Sequence, residues 1–182
     1  IGRNIIKQRP NWKWICIDSK ICDLEDHNQI QKIYGSYDVI IHSAGFYGGL
    51  PFNIKHKENI LFKNTRMNAN ICDLVKKTKP KKFIIVGSGC VYPPKGDTIL
   101  KEHMVGSLDF HPTVKYSSLA NLQLLQMAKN LDIDFEHLLI SNAYGPGEHT
   151  SQEKSHIMGS LIGKIIASKD HLEMMGTGSG IR

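Results

Sequence analysis

Four short apolar runs constrain this chain more than any other feature. Trp14 to Ile17 (WICI), Val39 to Ile41 (VII), Phe83 to Val86 (FIIV) and Leu138 to Ile140 (LLI) are too short for helices and rich in β-branched residues. That is the pattern of strands buried on both faces of a parallel sheet. Asp18, the Ala44-Gly45 pair, Ser88 and Asn142 follow these runs. In an open α/β sheet, ligands bind in the crevice beyond the carboxyl ends of the strands, so the four ends nominate one site. Any one of them taken alone reads equally well as a core strand with a polar residue at its end. Between the runs, Arg3 to Gln8, Asp26 to Ile33, Asn59 to Lys77 and Leu119 to Leu131 have helical character. Strands that alternate with helices imply βαβ units and a mostly parallel sheet of α/β class.

The chain has 182 residues, 41% of them apolar, enough for one sizeable core and one main domain. No run approaches the ~18 apolar residues of a membrane-spanning helix, and the opening residues do not form a signal peptide. A soluble, cytoplasmic protein with no membrane partner is expected. Cys16, Cys22, Cys72 and Cys90 lack paired metal spacing, which points to reduced thiols rather than a disulfide framework or a zinc site. The histidines show no ligand spacing with carboxylates, so no metal is expected. The formal charge of +6 invites an anionic partner, but its densest cluster, Lys76 to Lys82 (KKTKPKK), closes a predicted helix, where cations favour the helix dipole. With few aromatics interleaved, a solvated helix end is a better reading than a nucleic-acid patch.

The chain opens on IGRNIIKQ, an amphipathic helix with no strand before it, and closes on MMGTGSGIR, a glycine turn. A dinucleotide fold requires a first strand and a glycine-rich turn ahead of that helix, because close backbone approach and the helix N-terminus bind the pyrophosphate. The expectation is an internal fragment. Residues 1–150 would be a dinucleotide-binding domain truncated at its N-terminus, and residues 151–182 the start of a substrate-binding lobe truncated at its C-terminus.

The segments IGRN, CDLED, DVIIHSAGFYGG, GSGCVYPP, KYSSLANL, SNAYGPGEH, SHIMGSLIGK and MMGTGSGIR succeed one another along the chain. In that order they resemble the extended short-chain dehydrogenase/reductase family of nucleotide-sugar enzymes, and within it the GDP-L-fucose synthases most. Singly most of these segments are weak signals; GSGCVYP together with AYGP and SHIMGSL is the specific combination. The resemblance implies a Rossmann-like doubly wound parallel sheet that lacks its first strand here, and a cofactor, NADP or NAD. It also implies a nucleotide-sugar substrate and a homodimer of the full-length protein, formed through the two long helices.

The resemblance assigns roles residue by residue. Gly2 matches the end of the glycine turn, Asp23 and Leu24 the pair that holds adenine, and Ala44 and Gly45 the loop after the family's fourth strand. Asp18 is placed to accept hydrogen bonds from an adenosine ribose, which favours NAD, whereas Lys20 would attract a 2′-phosphate and the resemblance implies NADP. A plain turn residue is the other reading of Asp18. Ser88 matches the serine that hydrogen-bonds the substrate's keto oxygen, and Tyr116 the tyrosine that gives that oxygen a proton beside the cofactor. Cys90 and His156 match an acid/base pair that exchanges protons at the carbons flanking the keto group. Reference pKa values of about 8.5 and about 6.5 suit a thiol and an imidazole to such work near neutral pH. Cys90 on its own reads as a buried structural thiol. Asn142, Lys164 and Arg182 match residues that contact the sugar nucleotide, where cations suit an anionic diphosphate, while Met175 stands where the family has tryptophan. Asn64 either matches an asparagine that supports the site or faces solvent.

One departure is central. A phenol with a pKa near ~10 exchanges its proton slowly at neutral pH unless a cation stabilises the phenolate. The family supplies a lysine one helical turn after the tyrosine, and here that position is Ala120. A true deletion, an error in the reading frame, or a cation from elsewhere would each account for it; Lys115 points about 100° away from Tyr116 on a helix. Three function classes follow. The first is an NAD(P)-dependent epimerase/reductase converting a GDP-4-keto-6-deoxy sugar. The second is a catalytically impaired relative that binds the sugar nucleotide, and the third a 4-epimerase or dehydratase with tightly held NAD. The chain as written is expected to bind cofactor weakly and turn over little, and an NADPH titration returning micromolar affinity with normal turnover would overturn that expectation.

Overall fold

The computed structural model describes residues 1–94, 99–141, 143–151, 155–168 and 171–172. Three strands, β1 (Val39–His42), β2 (Lys82–Ser88) and β3 (Phe135–Ile140), form one parallel sheet in the order β1-β2-β3. Ile40 pairs with Phe83 and Ser88 with Ile140, so all three strands point their carboxyl ends the same way. The helices are α1 (Gly2–Gln8), α2 (His27–Gln31), α3 (Leu50–Lys55), α4 (Lys57–Thr78), α5 (Lys115–Lys129) and α6 (Ile157–Ala167).

β1 leads to β2 through α4, and β2 leads to β3 through α5. Strand order advances in one direction, so right-handed crossovers place both helices on the same face of the sheet. Along β2 burial alternates: Phe83 and Ile85 are fully buried, while Lys82, Ile84 and Val86 are half-buried. The buried set meets Ile71, Leu74 and Val75 of α4 and Leu124 and Ala128 of α5, forming the main core. Each such apolar side chain contributes about 1.5–3 kcal/mol by leaving water. The result is half of a doubly wound sheet, the fold class the sequence implies.

Local chemistry sets the element ends. Asp26 opens α2, its carboxylate accepting the Asn28 N–H at 2.9 Å, as N-cap residues do. α4 stops at Thr78 because Lys79 turns into the left-handed region at φ 44° and Pro80 cannot continue a helix. The basic run is spent here. Lys81 pairs with Asp38 at 2.7 Å, and Lys82 reaches Asp134 at 3.2 Å and Glu136 at 2.6 Å. These cations sit at the amino ends of the strands, opposite the crevice.

The apolar run Trp14 to Ile17 does not join the sheet. A groove of about 590 Å³, lined by Trp14, Ile15 and Ile17 on one side and Val39 and Ile41 on the other, separates it from β1. Strands pair at ~4.8 Å, so the gap denies this segment a hydrogen-bond ladder, and Ile15 is left 59% exposed. Its composition suits a buried strand, but pairing depends on a neighbour that is not beside it. Among the described residues no helix is long and apolar enough to cross a membrane.

His42 ends β1, buried and hydrogen-bonded with Asn68 of α4. Burial pushes its pKa from 6.5 down to about 4, and the Asn68 bond acts weakly upward. An unfolded chain protonates this histidine first as pH drops below ~6.5, so the fold loses stability from there down to its own folded pKa. Urea denaturation is expected to show a loss of up to ~1.4 kcal/mol per pH unit across that window that is absent from His42→Gln. Parallel pH profiles for the two proteins would refute it.

Candidate active site

The carboxyl ends of the three strands border a cavity of about 280 Å³. The loop after β1 forms one wall, and a side chain from α4 holds it. Asn64, 1% exposed, accepts the Phe46 N–H on Oδ1 at 2.8 Å and donates from Nδ2 to the Phe46 carbonyl at 3.1 Å and the Ile60 carbonyl at 2.6 Å. Asn64 is therefore a buried clamp and does not face solvent. Ser43, Ala44, Gly45 and Tyr47 of this loop line the cavity. A Cβ on Gly45 would stand 2.3 Å from the Tyr47 ring, so any larger residue there would have to displace that ring.

The second wall is the end of β2. Ser88 caps the 3-10 turn Gly89–Val91 by accepting the Cys90 N–H at 3.2 Å, which leaves its hydroxyl hydrogen available as a donor. The Cys90 carbonyl accepts from Ser118 Oγ of α5 at 2.7 Å, so helix and turn are tied together. The Cys90 thiol is exposed rather than buried. Ser88 and Cys90 share the cavity with His156, which immediately precedes α6 and makes no side-chain capping bond to it. Residues from two separate motifs thus converge on one space.

Tyr116 is not among the residues lining this cavity; Ser117 and Asn121, one helical turn apart on α5, are. Successive helical residues are turned by about 100°, and α5 is oriented by burying Ser118, Leu122 and Leu125 on one side and Leu124 and Ala128 on another. Ala120 is fully buried, its carbonyl accepting from Asn68 of α4 at 2.9 Å. Two other phenols line the cavity, those of Tyr144 and Tyr47. The Tyr47 hydroxyl accepts from Asn121 Nδ2 at 3.3 Å, and although the residue is 41% exposed overall, desolvation of its hydroxyl end pushes its pKa up despite that bond.

The residues matched to adenosine binding lie elsewhere. Asp18 Oδ1 accepts the N–H groups of Lys20 at 2.9 Å and Ile21 at 3.2 Å, closing its own turn. Asp23 Oδ1 accepts from the Glu25 N–H at 3.0 Å. Leu24 packs on the main core and borders the groove beside β1. Gly2 begins α1 with its Cα hydrogen side 3.5 Å from Ser43 Oγ, measured to an added Cβ. Lys164 falls in the last turn of α6 and does not line the cavity. Asn142, Met175 and Arg182 lie outside the described residues. Sequence reasoning passed over Tyr47, Asn121 and Glu148, all of which line the cavity.

Parallel βαβ units with a polar crevice at the carboxyl strand ends define a Rossmann-like, nucleotide-binding class of α/β protein. The NAD dependent epimerase/dehydratase family matches residues 1–182, and the chain belongs to that family. It is 27% identical over 195 residues to the GDP-L-colitose synthase of Yersinia pseudotuberculosis, covering 100% of this chain and 63% of that protein. It is also 27% identical over 173 residues to the GDP-L-fucose synthase of Azorhizobium caulinodans, covering 91% of this chain and 55% of that protein. The structure of a GDP-L-fucose synthetase from Naegleria fowleri bound to NADP superposes with a TM-score of 0.77 at 25% identity, over 98% of this chain and 61% of that one. The chain therefore spans about three fifths of the length of these relatives.

Removing the clamp would leave the Phe46 N–H and carbonyl without partners. Asn64→Ala is expected to cost about 2–4 kcal/mol in denaturation and to speed amide hydrogen exchange in residues 43–48. An unchanged exchange rate there would show that the loop stands without it.

Proposed function

We propose that this chain forms the nucleotide-binding part of an NAD(P)-dependent epimerase/reductase acting on a GDP-linked 4-keto-6-deoxy sugar. The observation that carries the reading is the convergence of Ser88, Cys90 and His156 on one cavity at the strand ends. The names of the relatives, GDP-L-colitose synthase and GDP-L-fucose synthase, support the substrate class.

The cavity suits the nicotinamide end of the cofactor. Ala44 and Gly45 offer backbone with little side chain, and Ser43, Ser88 and Ser141 offer hydroxyls. About 280 Å³ is less than a whole dinucleotide needs. Ser43, Ala44 and Gly45 would hold the nicotinamide end of NAD(P)H, which would supply a hydride for the keto carbon while the keto oxygen takes its proton from solvent water. The Ser88 hydroxyl donates to the keto oxygen and polarises it. The carbonyl acidifies its neighbouring carbons, and inversion at such a carbon needs a proton removed from one side and returned from the other. Cys90 and His156 are the two groups for that exchange. A homodimer would use α4 and α5, where Phe62 stands 57% exposed on α4.

A second reading, a relative that binds the sugar nucleotide without efficient reduction, is favoured by the α5 geometry. Tyr116 lies off the cavity wall, Ala120 replaces the lysine, and none of the described lining residues is a lysine or arginine. Incubation with GDP-4-keto-6-deoxymannose in deuterated water separates the readings. Deuterium wash-in at the carbons beside the keto group, reduced ~100-fold or more in Cys90→Ser and in His156→Asn, together with NADPH oxidation, supports the enzyme. Binding without wash-in or oxidation supports the second reading, and no binding overturns both.

A further inference from the structure

Asn121 of α5 lines the cavity, is 8% exposed, and has no part in the chemistry above. Its amide nitrogen donates to the Ser117 carbonyl at 3.0 Å and to the Tyr47 hydroxyl at 3.3 Å. A backbone carbonyl only accepts, so the Ser117 bond fixes which end of the amide is nitrogen and which is oxygen. Both hydrogens of that nitrogen are thereby engaged within the protein. The amide oxygen, Oδ1, has no partner among the described residues.

That oxygen is within reach of a ligand. Among the described residues, the side-chain atoms that are both buried and unpartnered are His137 Nε2 and Glu148 Oε1. Asn121 Oδ1 is not one of them, so it keeps accessible surface on a residue that borders the cavity. A sheltered acceptor of this kind is completed by water or by a ligand donor. Its surroundings favour the cofactor as the source of that donor. Tyr47, to which the amide is fastened, belongs to the same loop as Ser43, Ala44 and Gly45, the residues that would hold the nicotinamide end. Asn121 makes no bond to the turn Gly89–Val91 or to α6, which flank the groups for the keto sugar.

We propose that Asn121 Oδ1 is a fixed acceptor for the nicotinamide half of the cofactor, taking an O–H or N–H donor from its ribose or its carboxamide. The assignment rests on the functional reading above. The amide cannot turn without giving up its bonds to Ser117 and Tyr47, so the oxygen is held in place before the ligand arrives and little side-chain freedom is lost on binding. α5 thus offers the cofactor a neutral contact one residue beyond Ala120.

Saturation-transfer NMR titrations of the intact polypeptide with nicotinamide mononucleotide and with GDP-mannose test this directly. Asn121→Leu, close in size but without the oxygen, is expected to bind the mononucleotide ~5-fold more weakly, the effect of one lost neutral hydrogen bond, with GDP-mannose affinity unchanged. Tyr47→Phe removes only the hydroxyl that holds the amide and is expected to show a smaller loss with the same selectivity. Nicotinic acid mononucleotide lacks the carboxamide donor. A loss shared by both mononucleotides assigns the bond to a ribose hydroxyl, and a loss confined to the amide form assigns it to the carboxamide; either supports the proposal. The GDP-mannose titration also reports that each variant is folded. Equal loss of both kinds of ligand in both variants, loss of GDP-mannose alone, or no loss in either variant would overturn the proposal while leaving the functional reading intact. Failure of the unaltered protein to bind either nicotinamide mononucleotide or GDP-mannose would overturn the reading and the proposal together.

Discussion

Two asparagine side chains on one face of α4 hold the crevice together. Asn64 and Asn68 stand four residues apart, hence one above the other on the helix. The first grips both backbone polar groups of Phe46, and the second holds His42 at the end of β1 and the Ala120 carbonyl of α5. Both amides are buried, where a polar group must be satisfied and its bonds are strengthened by the low dielectric. Strand end, loop and neighbouring helix are therefore positioned by the same element. The Ser118 hydroxyl extends the chain of support to Cys90.

Much of the architecture was legible from the sequence because it follows from short-range pattern. The runs around Val39, Phe83 and Leu138 became the three strands, and the long helix around Asn59 to Lys77 became α4 with ends shifted by one or two residues. Trp14 to Ile17 shows where such pattern stops being sufficient, since a strand exists only when another lies within hydrogen-bonding distance. Motif matching brought Ser88, Cys90 and His156 to one place because each is fixed by its position at the end of an element. It did not foresee the facing of α5, which is decided by how Leu122, Leu124 and Leu125 bury themselves. Glu148 carried a signal that went unused: glycines before it and a glycine pair spaced by four on the next helix.

Net charge was a poor guide. The lysines of the KKTKPKK run neutralise acids at the amino ends of the strands or end a helix, far along the sheet from the cavity. The cavity itself is built of hydroxyls, amides, a thiol, two imidazoles and one carboxylate. Its character comes from neutral donors on fixed backbone, a preorganised kind of polarity.

The segment of α5 from Ser118 to Asn121 behaves like a tie rod of fixed length. Ser118 is fastened to the Cys90 carbonyl at one end, and Asn121 to the Tyr47 hydroxyl at the other, with the Ala120 carbonyl pinned between them. Two residues inserted in that stretch would twist one end by about 200° relative to the other, so one fastening would have to let go. Length and attachment are mutually committed. A cation can be added to this helix by exchanging a residue, but lengthening the helix to make room for one would release either the thiol turn or the loop after β1.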